Sequence, residues 1–571
     1  MTAPFERGES IAVAISDGVG AALHSDRETR FIDARDMYAE IERLELDLAP
    51  RWVWWTRATP GALVGAGIRP VRCWDIDAVH RLIHGGWRAS PGRTWAASRG
   101  LDTDSLPTSA PLDLFSVGSD DGEPDDPIRP DGHLRPDWVE GEWRGSTDRL
   151  RRWAELALEV FHRQSAQLEA LPDRPAAAAT ARAESTAALL CTEMEADGLP
   201  IDVAEAERII GSFIGPRPTD AADELRLAAE RDRLVLQHLG PGLGDGIDLR
   251  NPANVKSLLR RAGIELDDTR AWRLEQVRDQ HPIVDALLIW RKAERICTTF
   301  GYRWLDEHVV DGRLRGEWSA SDGAAGRMTA TAGLHNMPAD LRPAILAGPG
   351  TTFVRADLGQ IEPRILAAVS GDAALASATT DADMYAPVAQ RLSVPRETAK
   401  VAVLGAMYGQ TTGHGAEALR GLERAYPVAM GFLAAAARAA EGGNDLRTSG
   451  GRLVRMSGNV EPDSTAATQR SRAAARGRYG RNAMVQGAAA EFFKTWAVIV
   501  RARAAPLDAR IVLCLHDELL VLAPAERAAD ARAVVDDALQ EAAFRWLRER
   551  GSVDVRFVTE TSLISRWSDA K

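Results

Sequence analysis

The chain has 571 residues, of which 45% are hydrophobic and 27% charged, and its formal net charge is −12. That length exceeds what one compact core holds, so two or more domains are expected. The acidic balance excludes a uniformly basic nucleic-acid coat but leaves room for a local basic cleft.

In chain order, the polar, acidic first residues carry no n-region or h-region, so no secretory signal is read. Residues 11–15 read as a strand and 37–48 as an amphipathic helix. Between 101 and 143 the composition shifts to Asp, Pro, Gly and Ser, predicting a loop or disordered insertion. Helical periodicity resumes over 147–171, and a Pro/Ala-rich joint at 172–179 is the expected domain boundary. The remainder is mostly helical, interrupted by strand-like segments at 351–356 and 511–521. No internal repeat is visible, and apolar runs stay well short of the ~20 residues of a membrane span. Cys73, Cys191, Cys297 and Cys514 lie far apart with no CxxC, which argues against disulfides or a zinc knuckle and suits a reducing cytoplasm. A small α/β domain followed by a large α-rich domain with an embedded sheet is predicted.

The second strand-like segment is nearly apolar except for His516-Asp517-Glu518 at its centre, and it reads as a buried strand pair turning sharply there. Two adjacent carboxylates in such a place are costly unless a cation or water compensates them; the alternative is a hairpin tip that reaches solvent. The first segment delivers Asp357 to a strand end, before a helix opened by Leu358-Gly359-Gln360-Ile361-Glu362-Pro363-Arg364; the alternative there is an ordinary helix cap. Two strand-end aspartates suit Mg²⁺, which takes hard oxygen ligands completed by phosphate and water.

Between these segments, a helix is predicted with Ser393 as its cap, Pro395 in its first turn and Gly409 at its end. Arg396, Lys400, Leu404 and Tyr408 recur every four residues on one face, a stripe about 18 Å long. Its cationic half lies at the helix N-terminus, where the dipole also favours phosphate. The chain holds five lysines against sixty-five arginines, which singles out Lys400; the alternative is an amphipathic surface helix with two cations by chance.

The three segments resemble motifs A, B and C of family A (DNA polymerase I-like) DNA polymerases, in order: Asp357-x-x-Gln360-Ile361-Glu362-x-Arg364, Arg396-x3-Lys400-x7-Tyr408-Gly409 and His516-Asp517-Glu518. Further similarity spans roughly 185–571. It includes Met194-Glu195-x-x-Gly198-Leu199-Pro200-Ile201-Asp202, Asn251-Pro252-x3-Lys256, Gly326-Arg327-Met328-Thr329 with Leu334-His335-Asn336-Met337-Pro338, Thr448-x-x-Gly451-Arg452, and Arg478-x3-Asn482-x3-Gln486-Gly487. The resemblance implies an α+β right-hand polymerase fold of palm (about 311–385 and 485–571), fingers (about 386–484) and thumb (about 200–310). A small α/β ribonuclease H-like exonuclease-type domain over 1–175 would precede it.

It also implies template-directed addition of dNTPs to a primer 3′-hydroxyl, in DNA repair or gap filling. Two Mg²⁺ ions, with Mn²⁺ as a substitute, would sit on Asp357, Asp517 and the carbonyl of Leu358, with Glu518 as an accessory carboxylate. Arg396 and Lys400 would neutralise the triphosphate, Lys400 also donating a proton. Tyr408, Leu404 and Gln360 would shape the nucleotide pocket, and Glu362 would exclude a 2′-hydroxyl. Arg327, Asn336, Arg478, Asn482, Gln486 and His516 would contact primer–template DNA, mostly without reading sequence. A monomer located in the cytoplasm with the nucleoid, without membrane contact, is the family default. Four features depart from the family: Leu404 stands where Phe or Tyr is usual, Pro363 replaces Leu, His335 replaces Gln, and the loop after Arg327 is one residue short.

Exonuclease domains of this family use DxE, NxxxD and YxxxD carboxylates. Here Arg72-Cys73-Trp74-Asp75-Ile76-Asp77 and the residues up to Ile83 resemble an internal helix of that domain, with Asp75 and Asp77 read as solvated helix-start acids. The strand carrying DxE is expected to be missing, 51–68 holds neither Asn nor Asp, and Trp153-Ala154-Glu155-Leu156-Ala157 puts Ala where YxxxD needs Asp. An inactive exonuclease domain and no 5′ nuclease are expected. The rival readings are a catalytically silent DNA-binding protein of this fold, a phage-type RNA polymerase and a nuclease.

Overall fold

The computed structural model describes residues 5–86, 88–109, 123, 125–172, 176–239, 246–409, 415–456, 466–550 and 553–570. The chain divides into two compact units: 1–197 with 317–329 and 350–563, and 198–316 with 330–349 and 564–571.

The first unit opens with β1 (Ser10–Ser16), β2 (Gly20–His24), β3 (Thr29–Asp33), α1 (Met37–Leu48), β4 (Arg51–Trp54), α2 (Ala58–Gly65), β5 (Arg72–Asp75) and α3 (Ile76–His84). The strands form one sheet of order β3-β2-β1-β4-β5, antiparallel across β1–β3 and parallel across β1, β4 and β5. Helices α4 (Pro91–Arg99), α5 (Pro136–Glu140), α6 (Thr147–Glu169) and α7 (Ala177–Asp197) follow. The strand residues of β1 are almost wholly buried, as expected of a strand with neighbours on both edges and helices packed against the sheet.

Several expectations are corrected here. The strand expected at 11–15 is present as β1, which sits in the middle of the sheet and carries no carboxylate. Residues 72–75 are strand, not helix; Asp75 ends β5 and caps α3, accepting from Ala78 N at 2.8 Å. Nor is Asp75 solvated. It is 3% exposed and accepts from Trp54 Nε1 at 2.9 Å. The insertion is only partly a loop: an Ile128–Leu134 bridge and α5 bring Leu134, Trp138 and Trp143 into the core, while residues 110–122 and 124 lie outside the described residues. Of the expected joint at 172–179, residues 173–175 lie outside the described residues; α7 starts at Ala177, and its length lets it pack on both α3 and a later long helix.

The second unit carries β6 (Leu199–Pro200), α8 (Val203–Ile214), α9 (Ala221–Leu236), α10 (Pro252–Arg261), α11 (Ala271–Gln276), α12 (Pro282–Thr299), α13 (Tyr302–His308), β7 (Val309–Val310) and β8 (Arg313–Leu314). Its core is a helical cluster around Val255, Leu258, Ile283, Leu287 and Trp290.

The first unit resumes with β9 (Trp318–Asp322) and β10 (Arg327–Ala330), then β11 (Thr351–Leu358), α14 (Ile361–Ser370), α15 (Ala373–Ala378), α16 (Tyr385–Leu392) and α17 (Arg396–Tyr408). Next come α18 (Gly415–Ala425), α19 (Pro427–Glu441), β12 (Leu446–Arg447), β13 (Leu453–Val454) and the 39-residue α20 (Ala466–Ala504). Strands β14 (Arg510–Leu515) and β15 (Glu518–Pro524), helix α21 (Ala528–Arg550) and β16 (Thr559–Ile564) complete it. The second sheet has the order β14-β15-β11-β16. Gly480 lets α20 close on α19, because a Cβ there would lie 2.5 Å from that of Ala440.

Ser393 does not cap α17. It ends α16 at φ +54°, and Pro395 occupies the N-cap position with no side-chain bond. The residue before a proline avoids the helical region, so Val394 separates the two helices and Ser393 is spent on the first. Gly409 ends α17 at φ +69°, as expected.

Candidate active site

Strands β14 and β15 pair from Leu515 and Glu518, so His516 and Asp517 form a two-residue turn. His516 takes φ +53°, a conformation that costs a non-glycine residue on the order of 1 kcal/mol and is typically held by its surroundings. On the neighbouring strand, Asp357 lies opposite Glu518 in register, and Leu358 N donates to Asp517 O at 2.9 Å. Gln360, at φ +55°, then turns the chain into α14. Backbone pairing therefore fixes the two aspartates at one edge of the sheet.

The charges there are arranged around Arg355, which sequence reading missed. It projects from the same face of β11 as Asp357, two residues on. Its Nε donates to Glu518 Oε1 and its Nη2 to Asp357 Oδ2, both at 3.0 Å. Glu518 is 6% exposed and is thus compensated. Asp517 has no such counter-ion among the described residues: burial first, then Asp357, pushes its carboxyl up to about 6. The Asp357 carboxyl is also raised, by burial and by Glu518 against the pull of Arg355. Two carboxyls disfavoured as anions by burial and by one another fit a divalent cation, which would supply the missing charge.

Around this edge lies a cavity of about 290 Å³ lined by Arg327, Gln360, Glu362, Leu404, Tyr408, Gln486, His516 and Asp517, with Tyr385 and Phe493 among others. Glu362 is clamped in it, accepting from Arg327 Nη2 at 2.7 Å and from Tyr408 hydroxyl at 2.9 Å. Burial first, then the Glu362 carboxylate, raises the Tyr408 hydroxyl, which keeps it a donor. Arg396 donates to Asp383 through Nε at 2.6 Å, and Gln360 Nε2 donates to the same carboxylate at 2.7 Å. Asp383 thereby ties the start of α17 to the start of α14. Lys400, one turn further along α17, is half-buried and forms no ion pair with a described residue. Arg478 is exposed on α20 against Gly409, whose Cβ would lie 2.8 Å from its Cγ; Asn482 follows one turn later. Asn336 lies in the second unit, exposed, with its carbonyl accepting from Arg295 at 2.9 Å.

Two supports include motif residues, Arg364 and Arg452, whose partners the motifs do not show. Arg364 is fully buried yet binds carbonyls, among them those of Thr379, Asp381 and Ala382 at 2.7, 2.9 and 2.7 Å, and so holds the loop that presents Asp383. Under the β9–β10 hairpin, Glu184, Arg452 and Lys494 are buried together: Arg452 reaches Glu184 at 2.6 Å, and Lys494 pairs with the same carboxylate. Burial opposes ionisation of Glu184, but Arg452 and Lys494 hold its carboxyl low. Burial pushes the Lys494 ammonium down to about 8. Its Nζ donates to Gly326 O at 2.8 Å, fixing the residue before Arg327. A lysine in this arginine-rich chain was the available signal.

The N-terminal sheet ends on a cavity with a different lining. A cavity of about 280 Å³ lies at the end of β1, lined by Ser16, Asp17, Trp55, Trp143, Arg144 and Trp153 among others. Trp153 stacks between Trp55 and Trp143, with ring centroids at 4.7 and 5.5 Å. Ala157, on the same face of α6, is fully buried. Asp17 is the one carboxylate among the lining residues and accepts from Tyr38 hydroxyl at 2.8 Å.

Residues 249–569 match the family model for DNA polymerase family A. The chain belongs to that family. Among curated family A relatives, the thermostable DNA polymerase I of Thermus thermophilus is 28% identical over 61% of this chain and 44% of its own length. DNA polymerase I of Chloroflexus aurantiacus is 28% identical over 61% of this chain and 39% of its own. DNA polymerase theta of Caenorhabditis elegans is 28% identical over 52% and 19%. The chain thus spans less than half the length of these relatives. The fold is that of a solved family A structure, the POL domain of Pol1 from M. smegmatis in complex with DNA primer-template and dNTP. That likeness has a TM-score of 0.68 and 22% identity and covers 99% of this chain and 96% of the other. Among the described residues, no helix is long and apolar enough to cross a membrane.

Proposed function

We propose that this chain is a DNA-directed DNA polymerase that adds dNTPs to a primer 3′-hydroxyl. The observation that carries the reading is the placement of Asp357 and Asp517 at paired strand ends, beside a pocket closed by Glu362, Tyr408 and α17. In this reading Asp357, Asp517 and the Leu358 carbonyl hold two divalent ions, Mg²⁺ by preference, which when bound lower the charge on the phosphates and favour a reactive 3′-hydroxyl. Arg355 keeps Glu518 from competing as an uncompensated charge.

The remaining work falls to the protein's own groups. Arg396 and Lys400, at the positive end of α17, bind the triphosphate, and Lys400 is placed to give a proton to the departing pyrophosphate. Glu362 occupies the space a 2′-hydroxyl would need, and its bonds to Arg327 and Tyr408 keep it from moving aside. Leu404 contributes an apolar wall. Arg327, Asn336, Arg478, Asn482, Gln486 and His516 contact primer and template. Residues 198–316 correspond to a thumb, β11 with β14–β16 to a palm, α16–α19 to fingers, and 1–175 to an exonuclease-like domain without exonuclease activity.

One primer-extension assay with dNTP, rNTP and no-nucleotide lanes tests this. Extension with dNTPs alone is expected. No extension in any lane would favour a silent DNA-binding protein, extension with rNTPs an RNA polymerase, and shortening without nucleotide a nuclease.

A further inference from the structure

Away from the carboxylate centre, a second cavity of about 390 Å³ opens between α3, α4 and the residue after β13, lined among others by His80, His84, Gly86, Arg88, Arg93 and Arg455. Its construction is specific. Gly85, at φ +69°, brings the end of α3 so close to β13 that a Cβ would lie 2.7 Å from Leu453 O. Arg455 Nε donates to His84 O at 2.6 Å, and Arg447 Nη2 to Ile83 O at 3.0 Å. These bonds cover the carbonyl end of α3, where cations are favoured, and aim the rest of the Arg455 side chain at the opening. Across it stands Arg93, in a first turn of α4 that has no acidic residue.

The charge balance is unusual for this chain. Acidic residues outnumber basic ones by 82 to 70, yet no described carboxylate ion-pairs with Arg93 or Arg455. The rings of His80 and His84 lie 4.9 Å apart. Burial first, then cationic neighbours, drives His80 down to about 3 and His84 down to about 4. His80 is 3% exposed, and its Nδ1 has no hydrogen-bond partner. A wall on which Arg93 and Arg455 pair with no described carboxylate suits an anion. Guanidinium groups recognise phosphate without reading bases, so the contact this lining favours is with phosphate.

We propose that this cavity binds phosphate groups of a polynucleotide strand, as a sequence-independent anchor separate from the nucleotide-addition site. The guanidinium groups that line the cavity, those of Arg93 and Arg455 among them, match phosphate geometry.

The test is the salt dependence of oligothymidylate binding, read by fluorescence anisotropy. The double variant Arg93→Gln/Arg455→Gln should lower the slope of log K against log salt by about 1–2 and weaken binding about tenfold at low salt. Arg455→Lys, which keeps a charge and a donor for His84 O, should keep the parent slope. Calorimetric titration with pyrophosphate distinguishes a free anion from a strand. An unchanged slope in the double variant overturns the polynucleotide assignment, whether or not pyrophosphate binding is lost. A slope lowered equally in Arg455→Lys would mean that packing, not charge, is responsible, and also overturns it. These measurements use no nucleotide addition, so failure of primer extension would leave them standing.

Discussion

Two sheet ends in the first unit present cavities of nearly equal size, about 290 and 280 Å³, and treat them in opposite ways. At the β11–β15 end, carboxylates are kept in a place where burial and mutual repulsion disfavour their charge. At the β1 end, three stacked tryptophans line the space, and the single aspartate among the lining residues is satisfied by a tyrosine. Burying an unpaired charge costs several kcal/mol unless a cation repays it, whereas burying aromatic surface stabilises outright. The first end gives up stability for chemistry; the second has the packing of a core.

The largest effect that could break this contrast is at the first end. Asp357→Ala or Asp517→Ala should lower kcat for nucleotide addition by at least about 10³-fold, on the order of 4 kcal/mol in barrier, with the metal-free thermal midpoint kept or raised. Single-turnover extension and a melting curve check both; near-parental addition by either variant would remove the metal-ligand assignment.

A smaller effect is expected one layer out. Glu362→Ala should reduce the dNTP over rNTP preference in kcat/KM by about 10²-fold, or roughly 2.7 kcal/mol. The Glu362–Arg327 and Glu362–Tyr408 bonds hold the blocking carboxylate in place. An unchanged ratio would show that another group excludes the 2′-hydroxyl.

The N-terminal sheet makes its own prediction. Asp77 is half-buried beside Thr94, and its carboxyl is pushed up to about 8 by burial and by Asp75. A carboxyl raised in the folded state contributes stability in full below its unfolded value near 4, and that contribution is lost as pH rises through about 8. Asp77→Asn should therefore flatten the fall of stability between pH 4 and 8. Denaturant midpoints across that range measure it, and parallel profiles for parent and variant would show that the raised value is wrong.

At the β1 end the expected effect is none. A 3′-mismatched primer should survive incubation with Mg²⁺ or Mn²⁺ without nucleotides, and shortening that persists in Asp357→Ala would show a nuclease centre the tryptophans conceal.

The sequence made some features legible for physical reasons. An apolar run broken by His-Asp-Glu has few folds open to it besides a hairpin turning at those residues. A four-residue spacing of Arg396, Lys400, Leu404 and Tyr408 has few besides a helix face. Helix α1 was readable to its ends because its amphipathic period is undisturbed. What was not legible depended on distant partners. Arg355 looked like an ordinary strand residue until Glu518 came opposite its neighbour. Ser393 looked like a cap because the end of α16 could not be seen from its own sequence. Residues 125–145 looked like loop because a few tryptophans, rather than a periodic pattern, bury them. Asp75 looked solvated because its burial comes from β4 and α3 closing over it.

The Glu184–Arg452–Lys494 cluster has a consequence for how this chain can change over time. Removing one member of a buried charge set strands the others, at a cost of about 3–5 kcal/mol, while replacing the whole set by well-packed apolar residues is often neutral or favourable. Each single substitution thus leads downhill in fitness even where the end point is not inferior, so the three positions are locked to one another as a group. Because Lys494 also grips the carbonyl before Arg327, that lock extends to the substrate pocket. Descendants of this sequence should drift freely around the tryptophan-lined cavity long before they can drift here.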